Sequence, residues 1–121
     1  MTVSSTTRLA LLLDGIGCVL GGLLVLIPAV WEVTSLPASW RSAVGIALIM
    51  FGVAVLIAWK LPSRATLLTA VLGNVAWIVA GAFALTRTES DFGTALVLAV
   101  MVADGIMAAL HAQPILQGSD P

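Results

Sequence analysis

Charge and cysteine are both scarce in this chain, and each scarcity excludes a class of protein. Of the 121 residues, 9% are charged, the formal net charge is −1, and the five basic residues are scattered. A nucleic-acid-binding surface needs a basic face or stripe, so no nucleic-acid partner is expected. Cys18 is the single cysteine and His111 the single histidine, which excludes an internal disulfide and argues against a Cys/His metal site. We predict no metal and no cofactor.

Apolar sequence, in contrast, is abundant. Hydrophobic residues make up 60% of the chain and the mean hydropathy is +1.14, whereas soluble domains are about 45 to 50% apolar. Four apolar stretches of roughly twenty residues are separated by short segments that hold nearly all the charge, and each is long enough for a hydrocarbon core of about 30 Å. The sequence predicts an all-α integral membrane protein, a four-helix transmembrane bundle with antiparallel up-down topology, forming one domain over residues 1–121.

Polar residues, prolines and tryptophans mark the ends of the predicted helices. The helices cover residues 8–29, 40–59, 65–85 and 94–112, and a short polar tail follows over 113–121. Ser4 and the hydroxyl residues after it offer capping oxygens to the first helix. Trp31 and Trp40 bracket a polar loop, so we expect both at the headgroup boundary.

The N-terminal stretch has two alternative interpretations as a processed segment. Arg8 followed by leucines is typical of a signal peptide, but Asp14 interrupts the apolar run, which continues to Ile27 and favours a retained span. Gly17 before Cys18 is also found at lipoprotein cleavage sites. Because the residue three positions before Cys18 is a glycine rather than a larger apolar residue, lipidation is not expected.

Basic residues close to the membrane predict the orientation. Arg8, Lys60 and Arg64 lie on one side, and Arg41 and Arg87 lie on the other. The side richer in Lys and Arg is usually cytoplasmic. The sequence therefore predicts a multi-pass protein of a bacterial inner membrane with both termini in the cytoplasm.

Three polar side chains fall inside the predicted spans at similar depth. With both termini on one side, Asp14, Asn74 and Asp104 lie about 9, 13 and 12 Å from the same face. Closing a four-helix bundle places the first helix beside the fourth, which would bring the two aspartates together. A carboxyl group in hydrocarbon costs about 2.5 to 3.5 kcal/mol, and two neighbouring ones do not both ionise readily. We expect the pair to share one proton, with the Asn74 amide completing the network.

Two interpretations of this polar layer stay open. Cys18 and Trp77 lie about one turn from Asp14 and Asn74 on the same helix faces. In the first interpretation the set is a proton-carrying or solute site, with Trp77 stacking on a flat or cationic ligand. In the second it is an interhelical clasp worth about 0.6 to 2 kcal/mol per contact, and Trp77 is core packing. His111 is predicted to lie at the membrane interface near the helix dipole.

Small residues spaced by four predict close approach of helices. The pattern occurs at Gly17 and Gly21, at Ala76 and Ala80, and at Ala95, Ala99 and Ala103. Such residues pack helices within a chain or between chains. The intramolecular interpretation is favoured because four helices must first pack on one another, and a homodimer stays open.

Some of these residues also carry resemblances to known families. Leu-Asp-Gly at Asp14, Leu36-Pro37 leading to Arg41, and Asn74 followed by Trp77 make the chain similar to a group of small uncharacterised bacterial four-span integral membrane proteins. By size and span count it also resembles the small multidrug resistance transporters, whose essential acid in the first helix has a counterpart in Asp14. That family uses glutamate there, and its aromatic ligand-binding residues have no clear matches here.

Two functional hypotheses follow, and an enzyme is not one of them, because the chain has no catalytic histidine arrangement, nucleophile triad or phosphate loop. The leading hypothesis is a structural or accessory membrane partner, either self-associating or part of a larger complex in the lipid bilayer. Asp14, Asn74 and Asp104 would form its internal clasp. The alternative is a small proton-coupled transporter of a cationic or polar solute that uses Asp14 or Asp104 as proton carrier.

Overall fold

The computed structural model describes residues 2–118 of the chain. These residues contain four long helices and one short helix, joined by short loops. They are α1 (Ser5–Val25), α2 (Pro28–Glu32), α3 (Arg41–Lys60), α4 (Arg64–Leu85) and α5 (Asp91–Leu116), with a 3₁₀ turn over Ala38–Trp40. No strand occurs among these residues, and the all-α prediction is confirmed. The four long helices are long and apolar enough to cross a bilayer, which indicates a multi-pass membrane protein.

The outer surface of the bundle is apolar, as contact with lipid requires. Only 17% to 28% of the most apolar window of each long helix is buried inside the protein. Large aliphatic side chains such as Leu20, Val79 and Val102 are more than half exposed. Contiguous apolar surface on this scale is rare on soluble monomers, so it supports an environment of lipid around the bundle.

Two helix ends differ from the sequence prediction. α1 ends at Val25 rather than near Ala29, because Pro28 occupies the first turn of the separate helix α2, a position that proline favours. α5 continues through Pro114 to Leu116, four residues beyond the predicted end. Proline is tolerated inside membrane helices when neighbouring groups re-satisfy the backbone. Of the predicted polar tail, residues 119–121 lie outside the described residues.

Serine side chains cap three of the helices, and Ser90 caps α5 by accepting from the Gly93 backbone N–H at 2.9 Å. Ser4 Oγ accepts a hydrogen bond from the Thr7 backbone N–H at 3.2 Å, which confirms the predicted cap of α1. Ser63 and Thr66 form a reciprocal capping box at the start of α4. These caps satisfy backbone donors that a helix leaves unpaired in its first turn.

Glycines hold α1 and α3 in their closest contact. Gly15 and Gly22 of α1 face Gly52 and Gly45 of α3, and the order reverses because the helices are antiparallel. A Cβ atom added at Gly22 would lie 2.7 Å from the Gly45 carbonyl oxygen, and one at Gly52 would lie 2.8 Å from the Gly15 carbonyl oxygen. Backbones this close leave no room for a methyl group, which is the packing that small residues allow in membranes.

The prediction that Gly17 and Gly21 pack against another helix of the same chain is wrong. A Cβ atom added at either glycine would meet nothing within 4 Å. Both residues line a cavity instead, because they lie on a different face of α1 from Gly15 and Gly22.

The packed core lies toward the end of the bundle that carries the chain termini. Its members are Leu11, Val55, Ala58, Leu67 and Ala70, with Ile115 of α5 packed against them. At the opposite end, two loops hold each other: Ser35 Oγ donates to Ser90 Oγ at 2.8 Å, and Thr88 Oγ1 donates to the Thr34 carbonyl at 2.7 Å. Between core and loops the helices separate around the cavity.

Trp31 packs inside the loop end of the bundle, whereas its position at the headgroup boundary stays a prediction. Its side chain is buried, with 3% of its surface exposed, and Nε1 donates to the Pro37 carbonyl at 3.1 Å. Trp40 stacks on Phe83 with ring centroids 5.6 Å apart. At the loop end of the bundle, Trp31 is therefore buried inside the protein, and Trp40 packs on Phe83 of α4.

Candidate intramembrane site

Asp14, Asn74 and Asp104 each lie near the middle of a long helix. Asp14 is the tenth of 21 residues in α1, Asn74 the eleventh of 22 in α4, and Asp104 the fourteenth of 26 in α5. A helix rises about 1.5 Å per residue, so all three side chains start well inside the apolar layer. There they depend on the protein for polar partners.

Asp14 is the centre of a hydrogen-bond network. Its Oδ2 accepts from Asn74 Nδ2 at 2.9 Å and contacts His111 Nε2 at 2.8 Å, and its Oδ1 accepts from the Cys18 thiol at 3.5 Å. Asn74 Nδ2 also donates to the Ala70 carbonyl at 3.0 Å. One carboxyl group thereby connects α1, α4 and α5.

The hydrogen bond between Asp14 Oδ2 and His111 Nε2 requires a proton on one of these two atoms. An ionised Asp14 accepts the bond from the ring N–H, and a protonated Asp14 donates the bond to the ring nitrogen. His111 and Asn74 are fully buried, and His111 Nδ1 and Asn74 Oδ1 make no hydrogen bond with any described residue. Both oxygens of the Asp14 carboxyl group therefore have partners, whereas Asn74 Oδ1 and His111 Nδ1 have none among the described residues.

The predicted position of His111 is wrong. The side chain is 0% exposed and bonded to Asp14 rather than lying at the membrane interface. The error follows from the length of α5, which runs to Leu116 and buries His111 one turn deeper than the predicted end allowed. Its spacing of seven from Asp104 is the sequence signal for a shared helix face.

Asp104 lies apart from the Asp14 network. It makes no hydrogen bond with Asp14 or Asn74, and its Oδ2 is buried with no hydrogen-bond partner among residues 2–118. α5 is placed so that His111, two turns beyond Asp104, contacts Asp14. The structure therefore brings Asp14 and Asn74 together and leaves the second acid facing the cavity.

The cavity has a volume of about 470 Å³ and opens onto the surface of the bundle. Asp14, Cys18, Thr34 and Asp104 are its polar side chains. The other wall positions are Leu13, Gly17, Gly21, Val25, Val44, Leu48, Trp77, Ala80, Gly81, Ala84, Leu96, Val97, Val100, Ala103 and Met107. Two acids thus share a space that is otherwise apolar.

Trp77 and Cys18, both singled out from the sequence, lie on the walls of this cavity. Trp77 is half-buried on α4, and Cys18 is half-buried on α1, one turn from Asp14. Within the described part of the chain, no group of three or more His, Cys, Asp or Glu side chains is arranged to hold a metal ion. The chemistry on offer is proton binding, hydrogen bonding and contact with an apolar or aromatic surface.

No family model matches this chain, and no curated protein or solved structure matches it. Both resemblances drawn from the sequence imply a four-span architecture, and the structure supports that architecture. Four helices able to span a membrane fit a small four-span protein.

Proposed function

We propose that this chain is a small membrane transporter that binds a cationic or polar solute in its cavity and exchanges it for a proton. The observation that carries the proposal is that Asp14 of α1 and Asp104 of α5, each near the middle of its helix, line one cavity. Ionisable groups inside a membrane span are expensive and are typical of proton relays and solute paths. A volume of about 470 Å³ lies in the range of about 300 to 1,000 Å³ that small-molecule sites occupy.

Competition for one carboxyl group supplies the coupling. A carboxylate that pairs with a cation is not protonated at the same time, so proton and solute each weaken the binding of the other by the same factor. The titratable side chains at the site are Asp14, Cys18, Asp104 and, behind Asp14, His111. The cavity walls from α3 and α4 contribute none. Exchange therefore depends on α1 and α5.

A second function is favoured by a different observation. Asp14 joins three helices through Asn74 and His111, which is the arrangement of a structural clasp. In that case the protein is an accessory partner in the bilayer, acting as a homodimer or within a larger complex. Its cavity would then be a packing gap with no solute of its own.

Ligand-linked proton release separates the two functions. Purified protein in weakly buffered detergent is mixed with ethylammonium, choline or benzylammonium, and a pH-sensitive dye reports released protons. We expect release from the wild type and none from the double variant Asp14→Asn/Asp104→Asn, because the exchanging acids are gone. Glycerol is the neutral blank, and Glu89→Gln, an exposed loop substitution, is the control variant. Absence of release with every ammonium, together with a lower melting temperature of the double variant, would reject transport in favour of the clasp.

The proposed location is a bacterial inner membrane with both termini in the cytoplasm. The basis is the excess of Arg8, Lys60 and Arg64 over the two basic residues at the loop end. On a Cys18→Ala background, we expect Ser39→Cys to react with a membrane-impermeant maleimide in whole cells. Gln117→Cys should react only after permeabilisation. The reverse pattern would invert the orientation.

A further inference from the structure

We infer that the ligand of the cavity is an amphipathic monoamine whose ammonium group pairs with Asp104, while Asp14 serves to hold the helices. This inference rests on the proposed function and narrows it. It assigns different roles to two acids that the sequence treats as equivalent. The geometry that supports it is the unequal number of partners at the two carboxyl groups.

Asp14 has little acceptor capacity left for a ligand. Both of its oxygens are engaged, Oδ2 by Asn74 and His111 and Oδ1 by the Cys18 thiol. A ligand bonding to Asp14 would compete with these donors, of which Asn74 and His111 are fully buried, and a buried donor left without its partner costs free energy. Asp14 is therefore poorly suited to gain and release a solute repeatedly.

Asp104 is in the opposite situation. Its Oδ2 is buried and has no hydrogen-bond partner among the described residues, and its side chain lies on the cavity wall. An unpaired buried acceptor is unfavourable, so a donor that enters the cavity removes that penalty. An ammonium group adds charge to the bond, and charge-assisted bonds are roughly twice as strong as neutral ones.

The remaining walls select an apolar body for the ligand. Apart from four polar side chains, the lining consists of aliphatic residues, glycines, Met107 and Trp77. A sugar or polyol would leave hydroxyl groups unpaired against these walls, which is costly. The indole of Trp77 offers a face for an aromatic group or for the cation itself. The broader class of cationic or polar solutes thus narrows to amines with an apolar, preferably aromatic, portion.

The position of Asp104 excludes the headgroup of a bilayer lipid as the source of the amine. Thirteen residues separate it from Asp91 and twelve from Leu116, which places it about 18 to 20 Å from either end of α5. A lipid headgroup stays at the interface and does not reach this depth. The small residues Gly17, Gly21 and Ala103 in the cavity wall leave room for a free amphipathic molecule beside α1 and α5.

A matched pair of probes tests the assignment. 1-Naphthylmethylammonium and the neutral 1-naphthylmethanol have nearly the same shape, and equilibrium dialysis against protein-loaded and empty nanodiscs separates binding from partition into lipid. We expect the wild type to prefer the amine at least about tenfold. Asp104→Asn should abolish this preference. Asp91→Asn, the same substitution at an exposed position of the same helix, should retain it.

Two further variants keep the test decisive. Gly17→Leu projects into the cavity, where an added Cβ meets nothing within 4 Å, and should abolish binding of both probes while the protein keeps its melting temperature. Asp14→Asn should lower the melting temperature yet keep the preference for the amine. Equal binding of amine and alcohol by the wild type, or a preference that Asp14→Asn removes and Asp104→Asn retains, would overturn the inference.

The outcomes also distinguish this inference from the proposed function. Proton release by ethylammonium or choline with no binding of the naphthyl amine would leave transport standing and refute the ligand class. Binding of the naphthyl amine through Asp104 without proton release would support the ligand site and refute transport.

Discussion

Gly22→Ala is expected to lower the free energy of unfolding by about 1 to 3 kcal/mol, whereas Gly21→Ala is expected to leave it unchanged or raise it slightly. The added methyl group at Gly22 would lie 2.7 Å from the Gly45 carbonyl oxygen and 2.9 Å from the Ile49 backbone nitrogen. Backbone atoms cannot move aside as a side chain can, so α1 and α3 must separate. At Gly21 the same methyl group meets nothing within 4 Å.

Unfolding by sodium dodecyl sulfate, titrated into protein held in a mild non-ionic detergent and followed by tryptophan fluorescence, measures both variants. Because the two substitutions are chemically identical and adjacent in α1, helix propensity contributes about equally to both. Their difference therefore isolates the contact between α1 and α3. Equal effects of the two substitutions would show that this close approach of the helices does not stabilise the protein.

This pair of glycines also shows which part of the fold the sequence could predict. Four spans follow from the length and hydropathy of the apolar stretches, because a helix must cross about 30 Å of hydrocarbon. The packing faces do not follow, because the helices are apolar on every side and the usual contrast between a buried and an exposed face is absent. Gly17 and Gly21 match the familiar spacing of four, whereas the actual contacts use Gly15 and Gly22, seven residues apart.

The sequence predicts some residues of the candidate site and not others. Depth along a span identifies Asp14 and Asn74, because polar side chains in hydrocarbon are conspicuous. His111 does not follow as a partner from the sequence, because the predicted helix ends at residue 112 whereas α5 continues to Leu116. The cavity could not be foreseen, because it arises from how far four helices separate, and no sequence pattern reports that distance.

The second large effect is expected at the bond between Asp14 and His111. His111→Phe keeps an aromatic ring of similar size and removes Nε2, which leaves Asp14 Oδ2 with Asn74 as its remaining partner. We expect the free energy of unfolding to fall by about 1 to 3 kcal/mol, the usual consequence of removing one partner from a buried polar pair. Asp14→Leu should cost a similar amount, because it leaves the fully buried His111 without a bond.

The double variant Asp14→Leu/His111→Phe is expected to be no less stable than either single variant, because an apolar pair leaves no buried group unpaired. The same unfolding titration gives the coupling free energy, which should reach at least about 0.6 kcal/mol, the mean for hydrogen bonds between membrane helices. Asp104→Leu with His111→Phe is the matched control, since Asp104 and His111 lie on the same helix without a bond between them. Additive effects in that control and non-additive effects at Asp14 would assign the clasp to Asp14, which leaves Asp104 available for a ligand. Additivity in both pairs would mean that the short distance between Asp14 and His111 contributes nothing to holding α1 against α5.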